Sequence, residues 1–243
     1  MSNFRIGVAL LGLALGTVPL AAQAPALQPA ALEIKYVRDS QEYQMLSRMV
    51  YRAATQAVVA SAKALAPKSW VVVLDLDETA LDNSPFQLER AAYGIPFSPD
   101  AFVSWSLRRE AGAVPGVVEF IDAVRRSGGR VAWISNRAFA ADQATRDNLA
   151  HLKLWNDEDR ICLQEAAERT KRVRRTEVIG GKGACSWNAP MTPVAFIGDQ
   201  MGDFPAADEG ITAAGTQDSF GTINFILPNP MYGDWTSRVT RIR

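Results

Sequence analysis

The sequence is poor in several residue types on which common chemistries depend. It contains one histidine, His151, and two cysteines, Cys162 and Cys185. The lone histidine offers no catalytic triad, and we assign neither cysteine a catalytic role. Charge of one sign is not in excess either, since 26 basic residues balance 26 acidic ones. This balance provides no basic surface field for a nucleic-acid polymer and no acidic tail.

The sequence is compatible with either a disulfide or two free thiols at the two cysteines. A protein exported to an oxidising compartment can pair Cys162 with Cys185 in a structural disulfide. Cys162 also lies in the apolar context Arg160–Leu163, where a buried free thiol is equally ordinary. Both alternatives stand at this point.

The chain has no apolar run as long as the roughly 20 residues that a membrane-spanning helix needs. The N-terminus has three features that are typical of a secretory signal peptide. They are the basic residue Arg5, the shorter apolar segment Ile6–Leu20 and a small-x-small pattern that ends at Ala24. We predict a signal peptide over residues 1–24, with cleavage between Ala24 and Ala26, and a linker over 25–35. The mature protein is then expected to be exported, periplasmic or secreted, and soluble without a stable membrane anchor. An uncleaved anchor is the alternative.

What the sequence does have is a regular alternation of apolar strands and amphipathic helices. With 48% hydrophobic side chains in 243 residues, the chain can bury one sizeable core. The alternation predicts an α/β fold, a Rossmann-like parallel sheet with helices on both faces. We expect one domain over 36–243, with its core at about 69–227 and a small helical layer from about 36–66 and 83–113. The predicted strands lie at 71–74, 131–134, 161–163 and 193–197, and the predicted helices at about 40–64, 115–127 and 140–152.

The most informative segment runs from Val71 to Thr79. Four apolar residues, typical of a strand buried on both faces, lead directly into Asp75 and Asp77. In open α/β sheets, ligands bind just past the carboxyl ends of such strands. Two carboxylates this close repel each other, and a bound divalent cation is the usual means of keeping both ionised. The pair therefore predicts a metal site.

Three further segments carry polar residues where strands end or helices begin. They are Ser135-Asn136-Arg137, Lys171 in the basic run 169–175, and Gly198-Asp199 followed by Asp203. Each alone has an ordinary structural explanation as a helix cap, a solvated charged face or a loop end. Their order, after the acidic pair and mostly at the ends of apolar strands, indicates one shared active site.

In this order the four segments resemble the motifs of the haloacid dehalogenase superfamily of phosphotransfer enzymes. A closer resemblance, to the class C bacterial acid phosphatases, the family that includes the outer-membrane lipoprotein 5′-nucleotidases, covers about residues 36–236. The chain departs from that pattern because it has no cysteine at the processing site to carry a lipid, and because Gln200 stands where an asparagine is common. The resemblance is carried by Asp75–Asn83, Ile134–Arg137, Lys171 with Arg174 and Arg175, Phe196–Phe204 and Pro228–Gly233.

The acidic residues suit the hydrolysis of a phosphate ester. A phosphate monoester is a dianion that repels an unassisted carboxylate, so Asp75 needs Mg²⁺ and a cation, Lys171, to approach phosphorus. Asp75 is then the nucleophile that forms an aspartyl-phosphate, and Asp77 is the general acid and base. We expect Mg²⁺ to bind the side chains of Asp75 and Asp199 and the main-chain carbonyl of Asp77. Asp203 is expected to orient that shell from behind.

The remaining site residues concern the phosphate oxygens and the leaving group. Lys171, Ser135, Asn136 and main-chain N–H groups at the start of the following helix are expected to bind phosphate oxygens. Thr79 is expected to brace the loop that carries the two acids. Tyr232 is the first candidate to stack on a nucleobase. The weaker candidates, each at least as well suited to the core, are Phe86, Phe97 and Trp105.

These expectations combine into one predicted function. We expect a Mg²⁺-dependent acid phosphatase that hydrolyses phosphomonoesters through an aspartyl-phosphate intermediate. The resemblance implies that nucleoside 5′-monophosphates are among the substrates, and it implies a homodimer. One alternative is a phosphotransferase of the same fold, in which an alcohol takes the phosphoryl group. The other is a non-catalytic binding or storage protein, against which the presence of Asp75 argues.

Overall fold

The computed structural model describes residues 29–211 and 215–238. The predicted signal peptide lies outside these residues. The helices are α1 Leu32–Asp39, α2 Gln41–Ala62, α3 Ser84–Tyr93, α4 Pro99–Arg108, α5 Val117–Arg126, α6 Asp142–His151 and α7 Lys171–Gly180. The strands are β1 Trp70–Leu74, β2 Leu81–Asp82, β3 Gly112–Ala113, β4 Arg130–Ala138, β5 Arg160–Gln164, β6 Thr192–Gly198 and β7 Asn224–Ile226.

A five-stranded sheet in the order β5-β4-β1-β6-β7 forms the centre of the molecule. Every neighbouring pair in it is parallel. Parallel neighbours need crossover connections, which the helices between the strands supply. The predicted α/β fold with a parallel sheet is confirmed, and all its strands point their carboxyl ends toward the same edge.

The central strand β1 is buried on both faces, which explains its unbroken apolar sequence. Val72 and Leu74 join a hydrophobic cluster with residues of α2, α5 and α6. Val71 and Val73 belong to a second cluster, with Val178 of α7. Because successive side chains of a strand point to opposite faces, these two clusters place helices on both sides of the sheet.

A small aromatic layer is built from α3 and α4. The ring of Phe86 lies 6.0 Å from that of Trp105 and 5.4 Å from that of Phe102. The antiparallel pair β2–β3 connects this layer to the sheet. The indole of Trp105, itself buried, donates a hydrogen bond of 2.8 Å to Asn83. The layer therefore reaches Asn83, which directly follows β2 and itself donates a hydrogen bond to Asp77 in the loop after β1.

Two local expectations differ from the structure. Within the predicted linker 25–35, α1 already begins at Leu32, because Ile34 and Val37, three residues apart, are buried on one helix face. The strand predicted at 131–134 continues as β4 to Ala138, and the next α-helix begins only at Asp142. Ser40, in contrast, caps α2 as expected, since its hydroxyl accepts a hydrogen bond from the N–H of Tyr43 at 3.0 Å.

Candidate active site

The predicted site residues meet at the carboxyl edge of the sheet. Asp75 follows β1 directly, Asp199 follows β6, and Ser135 lies near the end of β4. The N–H of Asp75 donates to the carbonyl of Ile197 at 3.0 Å, which continues the strand pairing into the loop. The sheet thus fixes the backbone of the first aspartate beside the strand that carries the second.

Three carboxylates form a compact triad at this edge. Oxygen atoms of Asp75, Asp199 and Asp203 all lie within 4.8 Å of one another, and all three residues are buried. Within the described residues, this is the group of acidic side chains close enough to hold one metal ion. Asp203, which we expected only behind the ligands, belongs to the group, whereas the side chain of Asp77 does not.

Lys171, the first residue of α7, brings a buried ammonium to the triad. Its Nζ lies 2.6 Å from Oδ1 of Asp75 and also contacts Oδ1 of Asp203. Burial alone would lower the pKa of Lys171, but the two carboxylates outweigh it and raise the pKa above its ordinary value. Lys171 therefore stays charged. Its ammonium group lies beside Asp75, where the phosphate group of a substrate is expected to approach.

One ammonium does not neutralise three buried carboxylates. Burial and the neighbouring carboxylates raise the pKa of Asp75 well above its ordinary value, against the opposing effect of Lys171. Burial, followed by the charge of Asp203, raises the pKa of Asp199 to about 6. A divalent cation would supply the missing positive charge, and buried carboxylate oxygens are donors that suit a hard ion. The residues present fit a divalent metal.

Asp203 also holds the backbone that carries Asp199. Its Oδ2 accepts hydrogen bonds from the N–H of Asp199 at 3.1 Å and from the N–H of Gln200 at 2.9 Å. This approach requires glycine at position 198, where a Cβ atom would lie 2.3 Å from Asp203. The spacing of four residues between the two aspartates therefore closes a small loop against the end of β6.

The carboxylate of Asp199 is oriented by two neutral donors. Thr79 donates to its Oδ1 at 3.2 Å, and Asn229 donates to its Oδ2 at 2.8 Å. Thr79 was expected to brace the loop after β1, in which it lies. Its hydroxyl also contacts Asp199, which follows strand β6. Asn229 was not among the predicted site residues, although its Pro-Asn-Pro segment was part of the family resemblance.

Asp77 occupies a different environment from Asp75. Its Oδ1 accepts from Nε of Arg137 and from Nδ2 of Asn83, both at 2.8 Å, and its Oδ2 accepts from Ser135 at 3.2 Å. The side chain of Arg137 is only 1% exposed. Neither Arg137 nor Asn83 was among the predicted site residues, although both lie in motif segments. These contacts fix the direction of the Asp77 carboxylate.

Ser135 and Asn136 are held by a buried arginine of α7. Arg174 donates to the carbonyl of Cys162 at 2.7 Å and to the side-chain carbonyl of Asn136 at 2.6 Å, and it also contacts the carbonyl of Ser135. Burial lowers the pKa of Arg174 to about 10. We expected the N–H groups of a helix start beside Ser135, but Ser135 and Asn136 belong to strand β4 and no helix begins there. The backbone N–H of Arg137 instead donates a hydrogen bond of 3.2 Å to the hydroxyl of Ser135.

A cavity of about 480 Å³ opens onto these residues. Tyr232 lines it, as do Phe97 and Phe102, whereas Phe86 and Trp105 are buried in the aromatic layer. The cavity therefore places aromatic rings and catalytic candidates around one space. Its lining also includes Asp75, Asp77, Ser135, Asn136, Arg137, Lys171, Gln87, Arg90, Gln200 and Met231.

The two cysteines are paired in the structure. Cys162 of β5 and Cys185, which follows α7, form a disulfide with their Cα atoms 5.7 Å apart. The bond ties the helix that begins with Lys171 to the sheet. Among residues 29–211 and 215–238, no helix combines the length and apolar character needed to cross a bilayer.

The carboxyl edge of this parallel sheet brings together an acidic triad, a further carboxylate and a buried lysine. This is the architecture of a phosphatase. The model of the HAD superfamily, subfamily IIIB (acid phosphatase), matches residues 16–235, and the chain belongs to this family. It is also similar to the class C acid phosphatase from Bacillus anthracis, at 29% identity and a TM-score of 0.69 over 84% of this chain and 85% of that one. A second structure of the Bacillus anthracis enzyme, with tungstate bound, matches at 28% identity with the same TM-score and coverage.

The family and both solved structures indicate a hydrolase that acts as a phosphatase, which confirms the predicted enzyme class. They also suggest phosphate esters of small molecules as its substrates. An acidic triad that fits a divalent metal is consistent with this assignment.

Proposed function

We propose that this phosphatase is a Mg²⁺-dependent phosphomonoesterase that accepts nucleoside 5′-monophosphates and works through an aspartyl-phosphate on Asp75. The observation that carries the proposal is the position of Asp75. Its carboxylate lies 2.6 Å from the Lys171 ammonium, belongs to a buried acidic triad, and lines the cavity that Asp77 also lines. A nucleophile, a cation and a second acid therefore share one space.

In the first half-reaction, an oxygen of Asp75 attacks phosphorus while the bond from phosphorus to the ester oxygen breaks. Lys171 reduces the repulsion between the carboxylate and the phosphate dianion. Asp77, in its protonated form, gives its proton to the departing oxygen, so the leaving group departs as a neutral alcohol. The products of this step are the free alcohol, a phosphoryl group on Asp75 and an ionised Asp77.

In the second half-reaction, Asp77 takes a proton from a water molecule whose oxygen attacks phosphorus. The bond between phosphorus and Asp75 breaks, which releases inorganic phosphate and regenerates both acids. The hydrogen bonds from Arg137 and Asn83 keep the Asp77 carboxylate in one direction for both steps. Ser135, Asn136 and Lys171 are the proposed ligands of the phosphate oxygens.

Asp75, Asp199 and Asp203 would hold the metal ion, with the main-chain carbonyl of Asp77 as a further ligand. A bound Mg²⁺ supplies charge neutralisation of the phosphate oxygens and of the acidic cluster. Asn229 and Thr79 support this role because they orient the Asp199 carboxylate with neutral donors that leave its negative charge uncompensated.

The aromatic part of the cavity supports a nucleoside leaving group. Tyr232, Phe97 and Phe102 line the same space as the two catalytic acids, and aromatic rings stack on nucleobases. Tungstate, bound in the second Bacillus anthracis structure, is a tetrahedral oxyanion like phosphate. An oxyanion ligand in a similar protein supports phosphate esters as the substrates of this one.

We further propose that the protein is exported, with residues 1–24 as its signal peptide. The disulfide between Cys162 and Cys185 supports an oxidising compartment, where such bonds persist. Comparison of the mature N-terminus and cell fraction of the expressed full chain tests this point. An intact N-terminus in the reducing cytoplasm would contradict it.

Phosphate release from p-nitrophenyl phosphate and from adenosine 5′-monophosphate tests the catalytic proposal. We expect turnover that EDTA abolishes and Mg²⁺ restores. Asp75→Asn should lower kcat by roughly three orders of magnitude or more, because no nucleophile remains. The matched control is Asp208→Asn, which changes an exposed aspartate paired with Arg172 and should leave kcat unchanged. Substantial turnover by Asp75→Asn, or full activity in EDTA, would contradict the proposal.

A further inference from the structure

Arg90 differs from the other cationic residues that line the active-site cavity. Lys171 is paired with Asp75, and Arg137 is paired with Asp77. Arg90, in the last turn of α3, lines the same cavity and forms no ion pair with a carboxylate of the described residues. The cavity wall thus holds a guanidinium whose charge the protein leaves uncompensated.

The guanidinium of Arg90 is nevertheless held in a defined position. Its Nη1 donates to Oε1 of Gln87 at 2.6 Å, while its buried Nε has no hydrogen-bond partner. Its central carbon lies 5.6 Å from the ring centroid of Phe86 and 5.5 Å from that of Phe97. Burial lowers the pKa of Arg90 from its ordinary value, but a guanidinium stays charged at neutral pH.

Arg90 also lies where the active-site cavity meets a second space. A cavity of about 370 Å³ between α1 and α3 shares Arg90, Gln87 and Met231 with the active-site cavity. Glu33 lines this second cavity but is exposed and forms no ion pair with Arg90. A leaving group that extends from the phosphate site toward this junction would meet a cation with free donors.

We propose that Arg90 determines specificity by binding a second anionic group, a carboxylate or a further phosphate, on the leaving group of the substrate. A guanidinium can bind either group through two parallel hydrogen bonds. Its partial burial between two aromatic rings strengthens the attraction relative to an exposed arginine. Because it concerns the leaving group of a phosphate ester, this inference rests on the proposed function.

Two pairs of substrates, measured with Mg²⁺ present, separate the two anion sources. The first pair is 3-phosphoglycerate and glycerol 3-phosphate, which differ in a carboxylate. The second is adenosine 3′,5′-bisphosphate and adenosine 5′-monophosphate, which differ in a phosphate. The variants are Arg90→Gln, which removes the charge, and Arg90→Lys, which keeps it. Arg146→Gln is the matched control, because Arg146 packs on Trp155 at 4.7 Å outside the cavity lining.

We expect Arg90→Gln to lower kcat/KM for the more anionic member of a pair about tenfold, which corresponds to ~1.4 kcal/mol. The change should appear in KM, while the less anionic member is nearly unaffected. Arg90→Lys should recover part of the preference, and Arg146→Gln should preserve it. These readouts distinguish charge recognition from a packing role, because a packing defect would affect both members alike.

A selective loss in the first pair alone identifies the carboxylate as the recognised group, and one in the second pair alone identifies the phosphate. An equal loss on all four substrates, or no loss on any, overturns the inference while the wild-type turnover of adenosine 5′-monophosphate keeps the proposed function intact. A wild-type enzyme that hydrolyses none of the four would instead refute the proposed function, and this inference with it.

Discussion

Removal of the disulfide should destabilise the protein without disabling its active site. The perturbation is the double variant Cys162→Ala/Cys185→Ala, which replaces two buried residues. The bond spans a sequence separation of 23 residues, and the chain-entropy model assigns about 3 kcal/mol to a closed loop of that size. For a domain of this length, that loss lowers the melting temperature by roughly 6–12 °C.

The assay is thermal unfolding of the oxidised mature protein, followed by circular dichroism with and without reductant. Reductant should lower the melting temperature of the wild type toward that of the double variant and leave the double variant unchanged. Activity at 25 °C should persist, because Lys171 reaches Asp75 through a direct contact of 2.6 Å and not through either sulfur. Circular dichroism also reports whether the helices remain formed.

Three results would contradict this prediction. A wild-type melting temperature that does not respond to reductant, together with two free thiols by mass spectrometry, would show that the cysteines are not paired. A double variant that unfolds at the wild-type temperature would show that the bond adds no net stability. Loss of activity in a fully folded double variant would contradict the independence of the active site from the bond.

Two substitutions test the proposed roles of individual active-site residues. Asp77→Asn should lower kcat by about 10²–10⁴-fold and slow both phosphoryl transfer and hydrolysis in single-turnover experiments, whereas a change in KM alone would exclude an acid–base role. Tyr232→Ala should raise KM for adenosine 5′-monophosphate by about 5- to 150-fold, as expected for one lost stacking contact, with little effect on a small alkyl phosphate. Tyr232→Phe keeps the ring and should bind like the wild type; equal effects of Tyr232→Ala on both substrates would exclude stacking.

The fold was predictable because the apolar pattern of the strands reflects local burial. Four consecutive apolar residues marked β1 before the acidic pair, and β1 is buried on both faces as that pattern requires. The end of strand β4 was not predictable in the same way, because the strand was expected to stop before Ser135 and instead continues to Ala138. Ser135 and Arg137, two residues apart on the extended strand β4, lie on the same buried face and both contact Asp77. The contact between Arg137 and Asp77, 60 residues apart in the sequence, therefore outweighs the local preference for a helix start.

The supporting contacts of the site were out of reach for the same reason. Asn229 lies 30 residues from Asp199, to which it donates a hydrogen bond, and only the folded chain brings the two together. The pairing of the cysteines likewise requires that β5 and the segment after α7 lie side by side, which places the Cα atoms of Cys162 and Cys185 5.7 Å apart. Residue type and spacing indicated which groups carry the chemistry, whereas the partners that orient those groups come from distant segments.

The two acids after β1 show how one short segment can supply two different functions. Asp75 contacts an ammonium and belongs to the buried triad, while Asp77 contacts a guanidinium, an amide and a hydroxyl. In enzymes that use two carboxyl groups, distinct environments are what give them distinct roles. The proposed division between a nucleophile and an acid–base group therefore follows from the partners that each residue meets, although the two stand one residue apart in the sequence.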